Sequence, residues 1–186
     1  MKIAVIVGTT RQGRVTPKLA KWVEARLKAK HDDVVVLDLA DYAIPLLSEA
    51  PWMPDRELTD GTKKWLDDLA AADGYMFVTA EYNHAVPAVL KNAIDITTGQ
   101  LVRKPAGIVS HGVVGGARSS EQLRQVLGSK VGAAVVPDAV TFHGMVDGSI
   151  LEDGTLAAGA EQNITALDAH IDDLLWYTTA LKTARS

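Results

Sequence analysis

Five short apolar runs, rich in β-branched residues, recur along the chain at 3–7, 34–37, 75–78, 106–109 and 133–136, with helix-like segments between them. The runs are nearly continuous rather than alternating, as parallel strands buried on both faces require. The segment 17–30 places Leu19, Val23 and Leu27 four apart, 61–72 carries Trp65, Leu66 and Leu69, and 87–96 carries Val89, Leu90, Ala93 and Ile94. Each has the apolar stripe of an amphipathic helix. Ser119 with Gln122 three residues on reads as a capping box opening a fourth helix, and Leu167, Ile171, Leu174 and Leu175 mark a last helix over about 157–184. Strict strand–helix alternation predicts an α/β three-layer sandwich around a five-stranded parallel sheet, with order 2-1-3-4-5 favoured. Ligands in such sheets bind outside the carboxyl ends of the strands at the switch point. The loops after strands 1, 3 and 4 are therefore the segments expected to carry function.

Composition narrows the chemistry. With 186 residues, 47% apolar and 23% charged, the chain is expected to be a single domain over 1–186. Its 19 Lys+Arg against 23 Asp+Glu leave a net charge of -4, without the basic excess that nucleic-acid binding demands. There is no cysteine, which excludes disulfides, thiolate metal sites, iron–sulfur clusters and Cys nucleophiles. Any redox chemistry must be borrowed from a cofactor. The apolar N-terminal run is too short for a signal-peptide core, and no run approaches the roughly 20 residues of a membrane span, so a cytoplasmic protein with no membrane partner is expected.

The loop after strand 1, Gly8-Thr9-Thr10-Arg11-Gln12-Gly13-Arg14-Val15-Thr16, leads into a helix, with Thr16 a candidate N-cap and Pro17 suited to the first helical turn. Backbone N–H groups at a helix start, with hydroxyls and guanidiniums nearby, suit a phosphate. A polar turn with solvated arginines is the plainer alternative. Gly8 and Gly13 have Walker A spacing, but Arg14 and Val15 stand where Lys and Ser/Thr belong, so NTP hydrolysis is not expected. G-x-G-x-x-G is missing, and Asp38 at the end of strand 2 is weak support for a dinucleotide ribose. After strand 3, Glu81-Tyr82-Asn83-His84-Ala85 can present backbone amides and a flat ring to a heterocycle, although Tyr82 could equally be a half-buried capping aromatic. After strand 4, Ser110-His111-Gly112 and Gly115-Gly116 allow close backbone approach to a ligand or form an ordinary turn before a helix.

Together the loops resemble those of the NADPH-dependent FMN reductase family, the flavodoxin-like group that includes azoreductases, quinone reductases and chromate reductases. The resemblance rests on Gly8-Thr9-Thr10-Arg11, on Glu81-Tyr82-Asn83 with Pro87 and Leu90-Lys91-Asn92-Ala93-Ile94-Asp95, and on Ser110-x-Gly112 with Gly115-Gly116-x-Arg118 and Leu123-Arg124, across about 1–142. It implies noncovalent FMN, with NADPH or NADH as electron donor. Thr9, Arg11, Arg14, Val15 and Thr16 would hold the phosphate, Glu81, Tyr82 and Asn83 would line the ring edge, and Ser110, Gly112 and Gly115 would close the other side. Ala80 stands where the family has Pro, and Thr9 where it has Ser. The resemblance further implies a small-molecule acceptor and a homodimer, or a dimer of dimers, with the active site near the interface. The flavin would carry the chemistry. No side chain is named as catalytic, and Tyr82 and His84 are expected to shape the substrate side.

Competing constellations are thin. His31, His84, His111, His143 and His170 show no metal-ligand spacing and read as surface or supporting residues, so no metal is expected. Ser110-His111 lacks the G-x-S-x-G elbow of a hydrolase. Trp22, Trp65 and Trp176 read as packing or interface residues, while Trp52, in a Pro-rich stretch, could cover a neighbouring molecule's site. A non-enzymatic FMN carrier or redox-sensing module, and a sugar-phosphate or nucleotide enzyme using only the first loop, are the alternatives.

Overall fold

A computed structural model describes residues 1–143 and 161–186. Strand β1 (Ile3–Val7) is followed by helix α1 (Thr16–Lys28), β2 (Val34–Asp38), a 3-10 turn (Leu39–Asp41), α2 (Asp60–Ala71), β3 (Gly74–Ala80), α3 (Ala88–Asp95), β4 (Pro105–Gly112), α4 (Ala117–Gly128), β5 (Ala134–Val135), β6 (Val140–His143) and α5 (Glu161–Arg185). The sheet is parallel, in the order β2-β1-β3-β4-β5, with β6 also paired to β4. This is the flavodoxin-like topology expected from the strand–helix alternation.

Alternation along each strand divides the core. Ala4, Ile6, Tyr75, Phe77, Ala106 and Ile108 face the layer of α2, α3 and α4. Ile3, Val5, Val7, Met76, Val78 and Val109 face α1 and α5, where Leu19, Val23, Leu27, Leu167, Ile171 and Leu174 are buried. Each fully buried aliphatic side chain contributes roughly 1.5–3 kcal/mol. Trp22 and Trp65 are buried, Trp65 donating its indole N–H to the Ala93 carbonyl, whereas Trp52 and Trp176 are exposed.

Three local expectations need correction. The run at 133–136 supplies only the short β5, and the edge continues as β6, unforeseen because Pro137 cannot donate to a ladder and Asp138 takes a positive φ of 60°. The break is closed by side chains: Arg124 donates to the Val136 and Asp138 carbonyls, and His170 accepts from the Ile108 N–H at 3.0 Å. Nε2 must be unprotonated to accept that N–H, which fixes the tautomer of the neutral ring. A side chain at Gly107 would lie 2.8 Å from His170 Nε2. His170 is thus a buried structural histidine rather than a surface one.

The capping box is the second correction. Helix α4 begins at Ala117 after Gly116; Ser119 instead donates to the Ala80 carbonyl at 2.9 Å, and Gln122 accepts from the Val86 N–H at 2.7 Å. Third, α1 starts one residue earlier than a Thr16 cap implies: Val15 occupies the N-cap, with no side-chain hydrogen bond. The expected start of the last helix at 157–160 lies outside the described residues. Among the described residues no helix is long and apolar enough to cross a membrane.

Candidate functional site

The loops after β1, β3 and β4 meet at the carboxyl edge of the sheet. Gly8 extends β1 by donating to the Val78 carbonyl at 2.8 Å, and a Cβ there would lie 2.7 Å from Leu90 Cδ2. Thr9 is fully buried, and its Oγ1 has no hydrogen-bond partner among the described residues. An unsatisfied buried hydroxyl costs about 1–3 kcal/mol, so it marks a place prepared for an acceptor or donor from outside. The chain then turns, with Arg14 N–H on the Arg11 carbonyl at 3.2 Å and Gly13 at φ +70°, and enters α1 through Val15 without a side-chain cap. Arg11 lays its guanidinium over the Tyr82 ring, 5.0 Å from the centroid, linking the first loop to the second. Arg14 turns the other way. It grips both carboxylate oxygens of Asp38 at 2.6 and 2.7 Å and donates to the Thr9 carbonyl.

The loop after β3 is a tight hairpin. Tyr82 and Ala85 exchange backbone hydrogen bonds at 3.1 and 3.0 Å, and Asn83 and His84 between them have φ of 49° and 67°. Positive φ at both central residues defines a type I′ turn, which Asn accepts readily and which costs His84 on the order of 1 kcal/mol. Ahead of the turn, Glu81 donates its N–H to the His111 carbonyl at 2.9 Å. The Glu81 carboxylate accepts from the Arg118 backbone N–H at 3.0 Å and from the Arg118 guanidinium at 2.9 Å. A residue expected at a ligand's edge thus also supplies the cap that α4 lacks. Burial raises the Glu81 carboxyl, but the Arg118 hydrogen bonds and charge and the Ser119 N–H outweigh it, leaving the group below its ordinary range.

The loop after β4 folds back on its own strand. Gly115 and Gly116 both have φ +75°, Ser110 Oγ donates to the Gly115 carbonyl at 2.9 Å, and a Cβ on Gly116 would lie 2.8 Å from His111 N and O. His111 is buried, with Nε2 2.8 Å from Thr16 Oγ1, so the end of β4 touches the start of α1. Burial, and then the Arg11 charge, push His111 down to about 4, leaving it neutral at pH 7. Gly112 pairs with His143 across to β6.

All the sequence-selected residues, Thr9, Arg11, Arg14, Val15, Thr16, Glu81, Tyr82, Asn83, Ser110, Gly112 and Gly115, lie on these three adjoining loops or at their junctions with α1 and β4. The functional groups of Arg14, Glu81 and Ser110 are already engaged by protein partners. The structure adds His111, Asp38 and Arg118 to the site; in the sequence His111 has only its place beside Ser110 to suggest a role, Asp38 only its acidity at a strand end, and Arg118 only its place in the Gly115-Gly116-x-Arg118 run.

The profile of the NADPH-dependent FMN reductase family matches residues 1–147. The chain belongs to this family. Membership makes it an oxidoreductase of the FMN-dependent, NAD(P)H-consuming kind. An NAD(P)H-dependent FMN reductase of Schizosaccharomyces pombe is 39% identical over 68% of this chain, and the match spans 66% of that relative. An FMN-dependent NADPH-azoreductase of Staphylococcus haemolyticus is 32% identical over 87% of both chains. FerB, a flavoenzyme NAD(P)H:(acceptor) oxidoreductase from Paracoccus denitrificans, shares the fold with a TM-score of 0.74 at 24% identity, covering 95% of this chain and 98% of its own.

Proposed function

We propose that the chain is a noncovalent FMN flavoenzyme that reduces quinones, azo compounds, free flavin or similar small acceptors with NAD(P)H by a ping-pong hydride transfer. The observation that carries this reading is the buried Thr9 hydroxyl, without a hydrogen-bond partner among the described residues, beside a start of α1 that has no side-chain cap, a donor set suited to a phosphate ester. When bound, FMN supplies the hydride acceptance and electron release that no side chain here can perform.

Thr9, Arg11, Val15 and Thr16 bind the phosphate in this reading, through two hydroxyls, one guanidinium and backbone N–H groups. Neutral His111 is taken in the tautomer that carries its hydrogen on Nε2, which donates to Thr16 Oγ1 2.8 Å away and leaves the threonine hydroxyl hydrogen to point at a phosphate oxygen. Glu81, Tyr82 and Asn83 line the ring edge by backbone groups, held by the type I′ turn and by the Glu81–Arg118 contact. Ser110 ties down the Gly115 carbonyl so that Gly112 and Gly115 close the opposite side. Donor and acceptor occupy the same open face in turn, which is the physical content of ping-pong kinetics.

A homodimer, or a dimer of dimers, is part of the proposal. It is supported by exposed Leu46 (79%), Trp52 (80%) and Met53 (54%) beside a cleft of about 770 Å³ that Leu47, Trp52, Val102 and Val131 line. The cytoplasm, where NAD(P)H is held, is the compartment that suits the reaction. Initial rates at several fixed concentrations of a benzoquinone, with NADPH or NADH varied, test the mechanism. Parallel double-reciprocal lines are expected, and intersecting lines would exclude donor and acceptor alternating at one face.

A further inference from the structure

Arg14 poses a question that the FMN reading leaves open, because its guanidinium is not free to meet a phosphate. Asp38 closes β2 directly beside Val7 of β1, and its two oxygens take the two arms of Arg14 at 2.6 and 2.7 Å. The same Asp38 accepts the Ala40 N–H at 3.0 Å, which pins the carboxylate from its own backbone. Arg14 also donates to the Thr9 carbonyl. The pair is mostly covered, with side-chain exposures of 16% and 21%. A forked guanidinium can satisfy a carboxylate and a carbonyl at once, whereas a lysine ammonium cannot reproduce that planar geometry.

We propose that Asp38 and Arg14 form a strut from β2 to the anion loop, positioning Thr9 and the backbone N–H groups for the FMN phosphate without binding that phosphate themselves. The inference rests on the FMN reading above and deepens it. Opposite charges in direct contact cancel locally, so Arg14 brings little net attraction to an anion, while Arg11, stacked on Tyr82, is the guanidinium on the ligand side. Holding the Thr9 carbonyl fixes the peptide plane that follows it, and with it the aim of the Thr10 N–H. Asp38 and Arg14 are positioning residues on this account.

Riboflavin, which lacks the phosphate, separates positioning from folding. Affinities of the full chain for FMN and for riboflavin are read by quenching of flavin fluorescence at high salt, which screens long-range charge effects. Asp38→Asn is expected to weaken FMN on the order of tenfold with riboflavin unchanged, and Arg14→Met to do the same. The double variant is expected to lose no more than either single one, because both remove the same strut. Arg14→Lys, which keeps the charge, is expected to behave like Arg14→Met. Retained FMN affinity in Arg14→Lys, or unchanged or tighter FMN binding in Asp38→Asn, would overturn the strut and make Arg14 a direct ligand or a bystander. Equal losses for FMN and riboflavin would also overturn it, since the pair would then serve folding alone. A wild-type chain that binds no FMN overturns the FMN reading itself, an outcome separate from all of these.

Discussion

Thr9 makes the sharpest single-residue statement in the molecule. Its hydroxyl is buried without a partner among the described residues, so Thr9→Val should raise the thermal stability of the FMN-free protein while weakening FMN several-fold, opposite signs from one substitution. Melting curves with and without FMN check this, and a variant that loses stability in both states would contradict it. Arg11→Ala should weaken FMN by on the order of 1.5–3 kcal/mol through loss of a charge-assisted contact, measured by flavin fluorescence, and unchanged affinity would remove Arg11 from the phosphate site. Side-chain types were legible at this scale but their aims were not. Nothing local to Gly13-Arg14 says that the guanidinium turns to a carboxylate 24 residues away, or that Glu81 reaches Arg118 across 37.

At the scale of elements, helix α4 shows why its expected cap failed. Gly116 in the left-handed region leaves no side chain to cap the helix, and Glu81 from the β3 loop does the work instead. Glu81→Ala should lower stability by about 1 kcal/mol, in the range of a lost N-cap, in urea unfolding at pH 7. Because the folded carboxyl titrates below its unfolded value, the stability it adds is present above the unfolded pKa and is lost as pH falls through the folded one. The wild-type advantage over Glu81→Ala should therefore shrink in acid, and a constant difference down to low pH would contradict the contact. The strands β1, β3 and β4 were readable because each carries an apolar run buried on both faces, and β2, at the sheet edge with Val36 exposed, because its four-residue run is still apolar throughout. The β5–β6 edge was not, because its break is closed by Arg124 and His170 from two helices, the latter 62 residues from the strand it serves.

For the whole molecule, two buried histidines set the acid side of its stability. Burial pushes His111 and His170 down to about 4, and for His170 it outweighs the nearby Asp173 charge and the Pro137 hydrogen bond. Unfolded histidines titrate near ~6.5, so between those values the unfolded chain binds more protons and stability rises with pH, levelling off above the unfolded pKa. His170 must stay unprotonated at Nε2 to accept the Ile108 N–H, so protonation also breaks the clip across the split edge. Stability should fall by on the order of 1–2 kcal/mol per histidine between about pH 6.5 and about pH 5, and His170→Gln, whose amide oxygen can accept the same N–H, should flatten that slope. An unchanged slope in urea unfolding would contradict the assignment. The three loops act together only if the FMN they hold cycles between donor and acceptor, which an anaerobic titration reads out. The purified chain, loaded with FMN, should lose the flavin's visible absorption on addition of NAD(P)H and regain it when a quinone follows. A chain that takes up no FMN, or whose bound FMN stays oxidised in the presence of both NADH and NADPH, would contradict the account.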